Sequence, residues 1–180
     1  MKKALLVVDI QQDFTDKNGR MSLMNQNDAE KMIVKINSLI EQATKQGYLV
    51  VYIGNEFSRY DPLNIFRNFA AVENSNGVKA DKRLLVVNDN YFSKNKGDAF
   101  SNPKLNSLLK HHQVDALMIT GVYAEACIWH TIKGARKNGF NIEVCPDAIA
   151  AKKEKRIKKM LRRYQKAGVR LSTNVDNVAC

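Results

Sequence analysis

Apolar positions along this chain follow two alternating rhythms, short continuous runs and longer stripes at helical spacing. Ala4–Val8 is a continuous run, as expected of a parallel strand covered on both faces. Next comes a stripe of Ala29, Met32, Ile33, Ile36, Leu39, Ile40 and Ala43, the period of an amphipathic helix. Asn27 or Asp28 is placed to cap it and Gly47 to close it. Leu49–Ile53 predicts a second strand, followed by a polar stretch with Asn55, Glu56, Arg59 and Asp61-Pro62. Residues 64–87 carry the weakest pattern and predict a short helix and a strand near Leu84–Val87. Tyr91–Lys94 predicts a short extended piece, and Pro103 the first turn of a helix reaching about His112. Ala116–Thr120 then predicts a strand, Ala124–Lys137 a helix stopped near Gly139, and Asn141–Val144 another strand. Lys152–Ala167 predicts a helix, and Val169–Ser172 a last short strand.

Repeated β-α-β units imply right-handed crossovers and a parallel sheet with helices on both faces. The expected fold is a three-layer αβα sandwich around a mostly parallel sheet of about six strands, with residues 1–180 as one domain. In such sheets ligands collect outside the carboxyl ends of the strands. Asp9 follows the first strand, Asn55 and Glu56 the second, and the stretch from Gly121 to Cys127 follows Ala116–Thr120. One edge therefore gathers them.

With 180 residues, 44% of them hydrophobic, and three prolines, the chain can bury a substantial core and is not of disordered composition. No apolar stretch approaches a membrane span. Lys2 and Lys3 run directly into a polar segment around Asp9, Gln11, Gln12 and Asp13, without a signal-peptide apolar region, so a cytoplasmic location is expected. The three cysteines, Cys127, Cys145 and Cys180, show no metal-ligand spacing and are expected to be free thiols.

The net charge of +11 is unevenly spread. Residues 1–90 hold 12 Lys/Arg against 11 Asp/Glu, and residues 91–180 hold 17 against 7. Lys152–Lys166 alone carries nine basic residues and one acidic, Glu154. Within it, Ile157, Met160, Leu161 and Tyr164 form a helical stripe. That pattern describes a helix with one buried face and one basic face, either merely solvated or in contact with anions.

Three positions carry candidate chemistry, and each has a plainer explanation. Asp9 is either a turn-capping carboxylate or a general base. Lys94, one of 29 basic residues, is by itself a solvated surface charge. Cys127 is either a small buried hydrophobe or a nucleophile. Its place after Gly121, in the first turn of a predicted helix, favours a depressed thiol pKa through the helix dipole.

Together the three segments resemble the isochorismatase-like hydrolase superfamily, which includes nicotinamidases and other cysteine amidohydrolases. Leu5-Leu6-Val7-Val8-Asp9-Ile10-Gln11-Gln12-Asp13-Phe14 is similar to its opening strand. Phe92-Ser93-Lys94, followed by Asp98-Ala99-Phe100, looks like its lysine segment. Thr120-Gly121-Val122-Tyr123-Ala124-Glu125-Ala126-Cys127 resembles its Gly-x5-Cys nucleophile turn. Gly139, Pro146-Asp147-Ala148 and Ala167-Gly168-Val169 also fit, so the resemblance spans nearly the whole chain.

The resemblance implies a catalytic triad of Asp9, Lys94 and Cys127. It also implies a cis peptide before Tyr123, with the backbone N–H groups of Tyr123 and Cys127 as an oxyanion hole. Nicotinamidases of this superfamily hold a metal through an Asp and histidines in the loop after the second strand. Here that loop reads Asn55-Glu56-Phe57-Ser58-Arg59, and the histidines are His111, His112 and His130. A metal-free site without cofactor is therefore expected. Isochorismatase proper hydrolyses a vinyl ether rather than an amide, and some members lack the cysteine, so by this resemblance Cys127 points to a covalent amidohydrolase.

Phe14, Asn55, Phe57, Phe92 and Tyr123 are the expected pocket lining, suited to a small uncharged amide. Arg59 is a candidate for recognising a carboxylate, and His130 a candidate for the pocket wall. The resemblance further implies a homodimer or homotetramer with a small-molecule substrate; neither a membrane nor a nucleic-acid partner is expected. Competing readings are an ether or other small-molecule hydrolase, and a binder of anionic partners through helix 152–166.

Overall fold

The computed structural model describes residues 2–175, so Cys180 lies outside the described residues. Six strands form one all-parallel sheet in the order β3-β2-β1-β4-β5-β6. They are β1 (Lys2–Val8), β2 (Leu49–Asn55), β3 (Tyr91–Lys94), β4 (Val114–Val122), β5 (Asn141–Ala150) and β6 (Arg170–Leu171). From β1 the chain winds outward to β2 and β3, then returns to place β4 on the other side of β1. That return makes β1 and β4 the topological switch point, where the carboxyl ends open a crevice.

The period-two alternation of β1 divides the core. Leu5 and Val7 face a cluster containing Met32, Ile33, Ile36, Leu39 and Ile40 of α2 (Gln26–Lys45). Ala4, Leu6 and Val8 face the opposite cluster, with Leu105 and Leu109 of α3 (Pro103–His111), Ile132 of α4 (Trp129–Lys137), and Met160 and Tyr164 of α5 (Ile157–Lys166). Each apolar run is thus buried on both faces, which is why continuous hydrophobicity marks these strands. The fold is the expected three-layer arrangement. Among the described residues no helix is long and apolar enough to cross a membrane.

Several elements differ from the sequence expectation, each for a physical reason. The α2 cap is Asn25, two residues upstream of Asn27, because its side chain accepts the Asn27 N–H at 2.8 Å. A short helix, α1 (Gln12–Thr15), forms inside a motif too polar to show a helical stripe. No strand forms at 84–87. There Leu85 N–H is taken by the Asn37 side chain at 2.8 Å and Val87 N–H by the Tyr52 hydroxyl at 3.1 Å, so side chains replace a strand partner. The helix of 64–87 is a 3₁₀ turn over Pro62–Arg67, capped by Asp61. Strand β5 runs on past Val144, shifting register opposite Ile119 and Gly121, where Pro146 has no N–H to donate. The basic helix begins at Ile157, after a 3₁₀ turn over Glu154–Arg156. Its stripe packs on the α3–α4 side and its basic residues are exposed.

Residues 56–90 contain no strand and no α-helix, and side chains from the first fifteen residues hold them. Asp13 accepts the Ala71 N–H at 2.7 Å, and the Gln11 amide donates to the Val78 carbonyl at 2.8 Å. Thr15 donates to Asp81 at 2.6 Å, and Asp81 also pairs with Arg83. These bonds hang the segment over the carboxyl edge of the sheet.

Candidate active site

At the end of β1 the backbone turns sharply, with Asp9 at φ 56°, a left-handed conformation that Asp tolerates better than most residues. Its N–H donates to the Ile53 carbonyl at 2.8 Å, tying the turn to β2. Opposite Val8 in β4 stands Gly121 at φ 114°, where a Cβ would lie 1.9 Å from the Val8 carbonyl oxygen. Only glycine lets the two strands approach this closely at the switch point. Beyond it the Val122–Tyr123 peptide is cis, and residues Ala124–Ile128 form a π-type turn before α4 begins at Trp129. Cys127 lies in that turn, one of the wide helical turns often found at functional sites.

The three triad candidates converge, and a fourth residue joins them. Lys94, from the end of β3, donates to Asp9 Oδ2 at 3.0 Å and to Asn55 Oδ1 at 2.8 Å, and lies 3.5 Å from Cys127 Sγ. Asn55 Nδ2 donates to the same Asp9 oxygen at 2.8 Å and lies 3.6 Å from Sγ. The Asp9 and Lys94 side chains are almost wholly buried, at 2% and 0% exposure. Asp9 Oδ1 is buried with no nitrogen or oxygen donor on it among the described residues, and the Cys127 thiol is a hydrogen-bonding neighbour of the Asp9 carboxyl.

The electrostatics differ from the expected depressed thiol. Burial first, and then the Asp9 carboxylate, push the Cys127 thiol up to about 12, against the opposing pull of Lys94. The helix-dipole expectation is outweighed because the sulfur is desolvated and faces a carboxylate. Burial would by itself depress Lys94, but Asp9 and Cys127 outweigh it and hold the ammonium above its ordinary value. The resting arrangement is therefore carboxylate, ammonium, neutral amide and thiol, with formal charges that cancel.

The other expected site residues are distributed around this cluster. Asn55 belongs to the buried network itself rather than to an outer wall. Gln11 also serves the site: its amide brackets Asn55, accepting its N–H at 2.8 Å and donating to its carbonyl at 2.9 Å. Polar pattern gave no warning of this; only the pairing of β1 and β2 brings the two together. Phe14 packs edge-to-face on Tyr123, with ring centroids 6.4 Å apart, in the α2-side core. The Tyr123 hydroxyl lies 2.6 Å from the Met21 carbonyl and accepts the Leu23 N–H at 2.9 Å. Phe57 is buried beneath the Arg67 guanidinium, 3.9 Å from its ring centroid, and Phe92 is half-buried against the α3–α4 core. Arg59 is exposed, and His130 rests against Gly97, where a Cβ would come 3.1 Å from its Nδ1.

Neither Asn55, at the end of β2, nor Glu56 after it is free to hold a metal ion. The Asn55 amide is committed to Asp9 and Lys94, and Glu56 accepts the Tyr91 hydroxyl at 2.9 Å. Among the described residues no group of three or more His, Cys, Asp or Glu is arranged to hold one.

The family model of the isochorismatase domain matches residues 3–176, nearly the full chain. The chain belongs to the isochorismatase family. Within this family it is 30% identical over 153 residues to YddQ of Bacillus subtilis, an uncharacterized isochorismatase family protein, covering 83% of this chain and 78% of that protein. Its fold matches the nicotinamidase PncA of Bacillus subtilis with a TM-score of 0.86 at 24% identity, covering 96% and 99% of the two chains. It also matches N-carbamoylsarcosine amidase of Thermoplasma acidophilum with a TM-score of 0.84 at 23% identity, covering 99% and 100%. At these identities the two structures speak for the fold.

Proposed function

We propose that this isochorismatase-family protein is a cysteine hydrolase that cleaves a small-molecule C–N bond of the amide type. The observation that carries the reading is the buried Asp9 carboxyl, one oxygen of which has no nitrogen or oxygen donor, facing a protonated thiol, with Lys94 within reach of both groups. Asp9 Oδ1 takes the Cys127 proton as Sγ attacks the substrate carbonyl carbon. The backbone N–H groups of Tyr123 and Cys127 receive the developing oxyanion, a contribution typically worth about 10²–10³ in rate per donor. The tetrahedral species collapses to a thioester as the C–N bond breaks, and the proton on Asp9 passes to the departing amine. Asp9 then accepts a proton from water, whose oxygen attacks the thioester; as the C–S bond breaks and the acid leaves, Asp9 returns that proton to the sulfur and the thiol is regenerated. Throughout, Lys94 stays an ammonium and holds Oδ2, leaving Oδ1 to move the proton.

A neutral substrate suits a buried cluster whose formal charges cancel, since a net charge entering it would lose solvation without a partner. The nicotinamidase and amidase functions named for the two structural neighbours support an amide over an ether. Self-association into a homodimer or homotetramer is supported by Tyr60, Leu63, Ile65 and Phe66, large apolar side chains exposed by 84%, 52%, 71% and 85% within one short stretch. The reading is tested with a panel of small uncharged amides, using wild type and Cys127→Ala. Hydrolysis in the wild type that disappears in the variant is expected; equal activity in both would overturn the mechanism.

A further inference from the structure

The basic helix α5 is the feature that the proposed chemistry leaves unused, and its buried side reaches the nucleophile turn. Tyr164, in the third turn of α5, is fully buried, and its hydroxyl donates to the Ala124 carbonyl, three residues before Cys127. Its ring stacks on Trp129, two residues after Cys127, with centroids 5.9 Å apart and planes 10° from parallel. Arg163 lies over the same indole at 4.3 Å. At the other end of the segment, the Lys152 N–H donates to Glu125 at 3.2 Å, and Arg156 pairs with Glu125 at 3.3 Å. Residues on both sides of the sulfur are therefore held by the stretch 152–164.

The turn needs such support. Within it the Ala126 and Ile128 N–H groups share the Tyr123 carbonyl, the second at 3.3 Å, so the turn departs from the regular α-helical ladder. Sγ takes both of its nitrogen contacts, Lys94 at 3.5 Å and Asn55 at 3.6 Å, from the opposite side of the crevice, so a rotation of the turn changes both together. We propose that Tyr164 and Glu125 are positioning residues of the hydrolase: through Ala124 and the turn backbone they aim the Cys127 sulfur at Asp9 and Lys94. This rests on the cysteine-hydrolase reading above. It gives the α5 segment a role inside the molecule, its inner face and its start acting as the clamp of the nucleophile.

The test separates aim from stability and needs no knowledge of the substrate for its main readout. Tyr164→Phe keeps the ring on Trp129 and deletes only the hydroxyl. Glu125→Ala removes the acceptor for Lys152 and Arg156, and Glu125→Gln restores an acceptor. Met160→Ala, a core substitution on the same helix, serves as the stability control. Cys127 alkylation by iodoacetamide is followed by mass spectrometry across pH, with thermal melting in parallel and kcat and KM on any amide the panel identifies.

Tyr164→Phe and Glu125→Ala should each speed alkylation by about tenfold at fixed pH, the equivalent of one unit of thiol pKa, because a sulfur turned out of the cluster loses the burial and the carboxylate repulsion that together outweigh Lys94. They should also lower kcat by roughly 10- to 100-fold with KM nearly unchanged, as expected of a misplaced reacting group. Glu125→Gln should recover most of both, and Met160→Ala should lower the melting temperature with alkylation as in wild type. Wild-type or slower alkylation in Tyr164→Phe and Glu125→Ala, or the same acceleration in Met160→Ala, overturns the positioning role. Because alkylation is read without substrate, that result is distinct from failure of the hydrolase reading, which would appear as amide turnover by Cys127→Ala.

Discussion

Replacing Lys94 by Gln removes the positive charge buried against the nucleophile while keeping a side chain of similar reach. The ammonium lies 3.5 Å from Sγ. At an effective dielectric of about 20, unit charges at that separation attract by about 5 kcal/mol. At 1.36 kcal/mol per pKa unit, that is roughly three decades of thiolate population. Part of this is returned, since the neutral Gln amide can still donate to the sulfur. The net expectation is Cys127 alkylation about 10² slower at fixed pH, with hydrolysis lost in step.

The sign is fixed by the wild type. Its thiol is raised to about 12, so the protonated form dominates at neutral pH and its alkylation rate should keep climbing through pH 10. A free cysteine would level off near its ordinary pKa of about 8.5. Time-resolved mass spectrometry at several pH values measures both slopes. An equal rate in Lys94→Gln and wild type, or a wild-type plateau below pH 9, would refute the electrostatic account.

Asp9→Asn should separate proton transfer from thiol reactivity. Asn tolerates the left-handed backbone at φ 56°, so hydrolysis should fall by about 10²–10⁴ while alkylation of Cys127 becomes faster at neutral pH. Slower alkylation would contradict the carboxylate's part in raising the thiol. Gly121→Ala places a methyl group on the Val8 carbonyl at a backbone angle hostile to side chains; loss of folded protein or a much lower melting temperature is expected, and a normal melt would count against the close approach. Changing Ile65 and Phe66 together to Asp should shift sedimentation toward the monomer with melting unchanged, and an unaltered sedimentation profile would exclude this patch as the contact.

The parts of the fold visible in advance are those where burial alone writes the pattern. The run Ala4–Val8 and the stripe from Ala29 to Ala43 are each buried as their spacing requires. Residues 84–87 misled because Leu84-Leu85-Val86-Val87 looks like a strand, yet Val86 and Val87 are 54% and 40% exposed and the backbone bonds to Asn37 and Tyr52. Such side-chain partners leave no periodic trace. At the site, topology brings Asp9, Asn55 and the Cys127 turn to one edge, so their meeting is readable, whereas Lys94 is picked out from the other basic residues only by the family resemblance. Gln11 and Tyr164 are not readable, because their roles are hydrogen bonds to backbone atoms of distant residues. The raised thiol was missed for a related reason: a helix start can be read from sequence, but desolvation beside a carboxylate exists only once the strands have assembled.

The tethering of residues 56–90 by Gln11, Asp13 and Thr15 has a consequence for anyone wishing to retarget this scaffold. The segment over the site has neither strand nor α-helix to carry its shape into a new context. A transplant of 58–90 alone would arrive without the carboxylate that fixes Ala71, the amide that fixes Val78 and the hydroxyl that fixes Asp81. The heritable unit is a split cassette, the first fifteen residues together with the overhanging stretch, and chimeras should be cut so that both halves come from one parent.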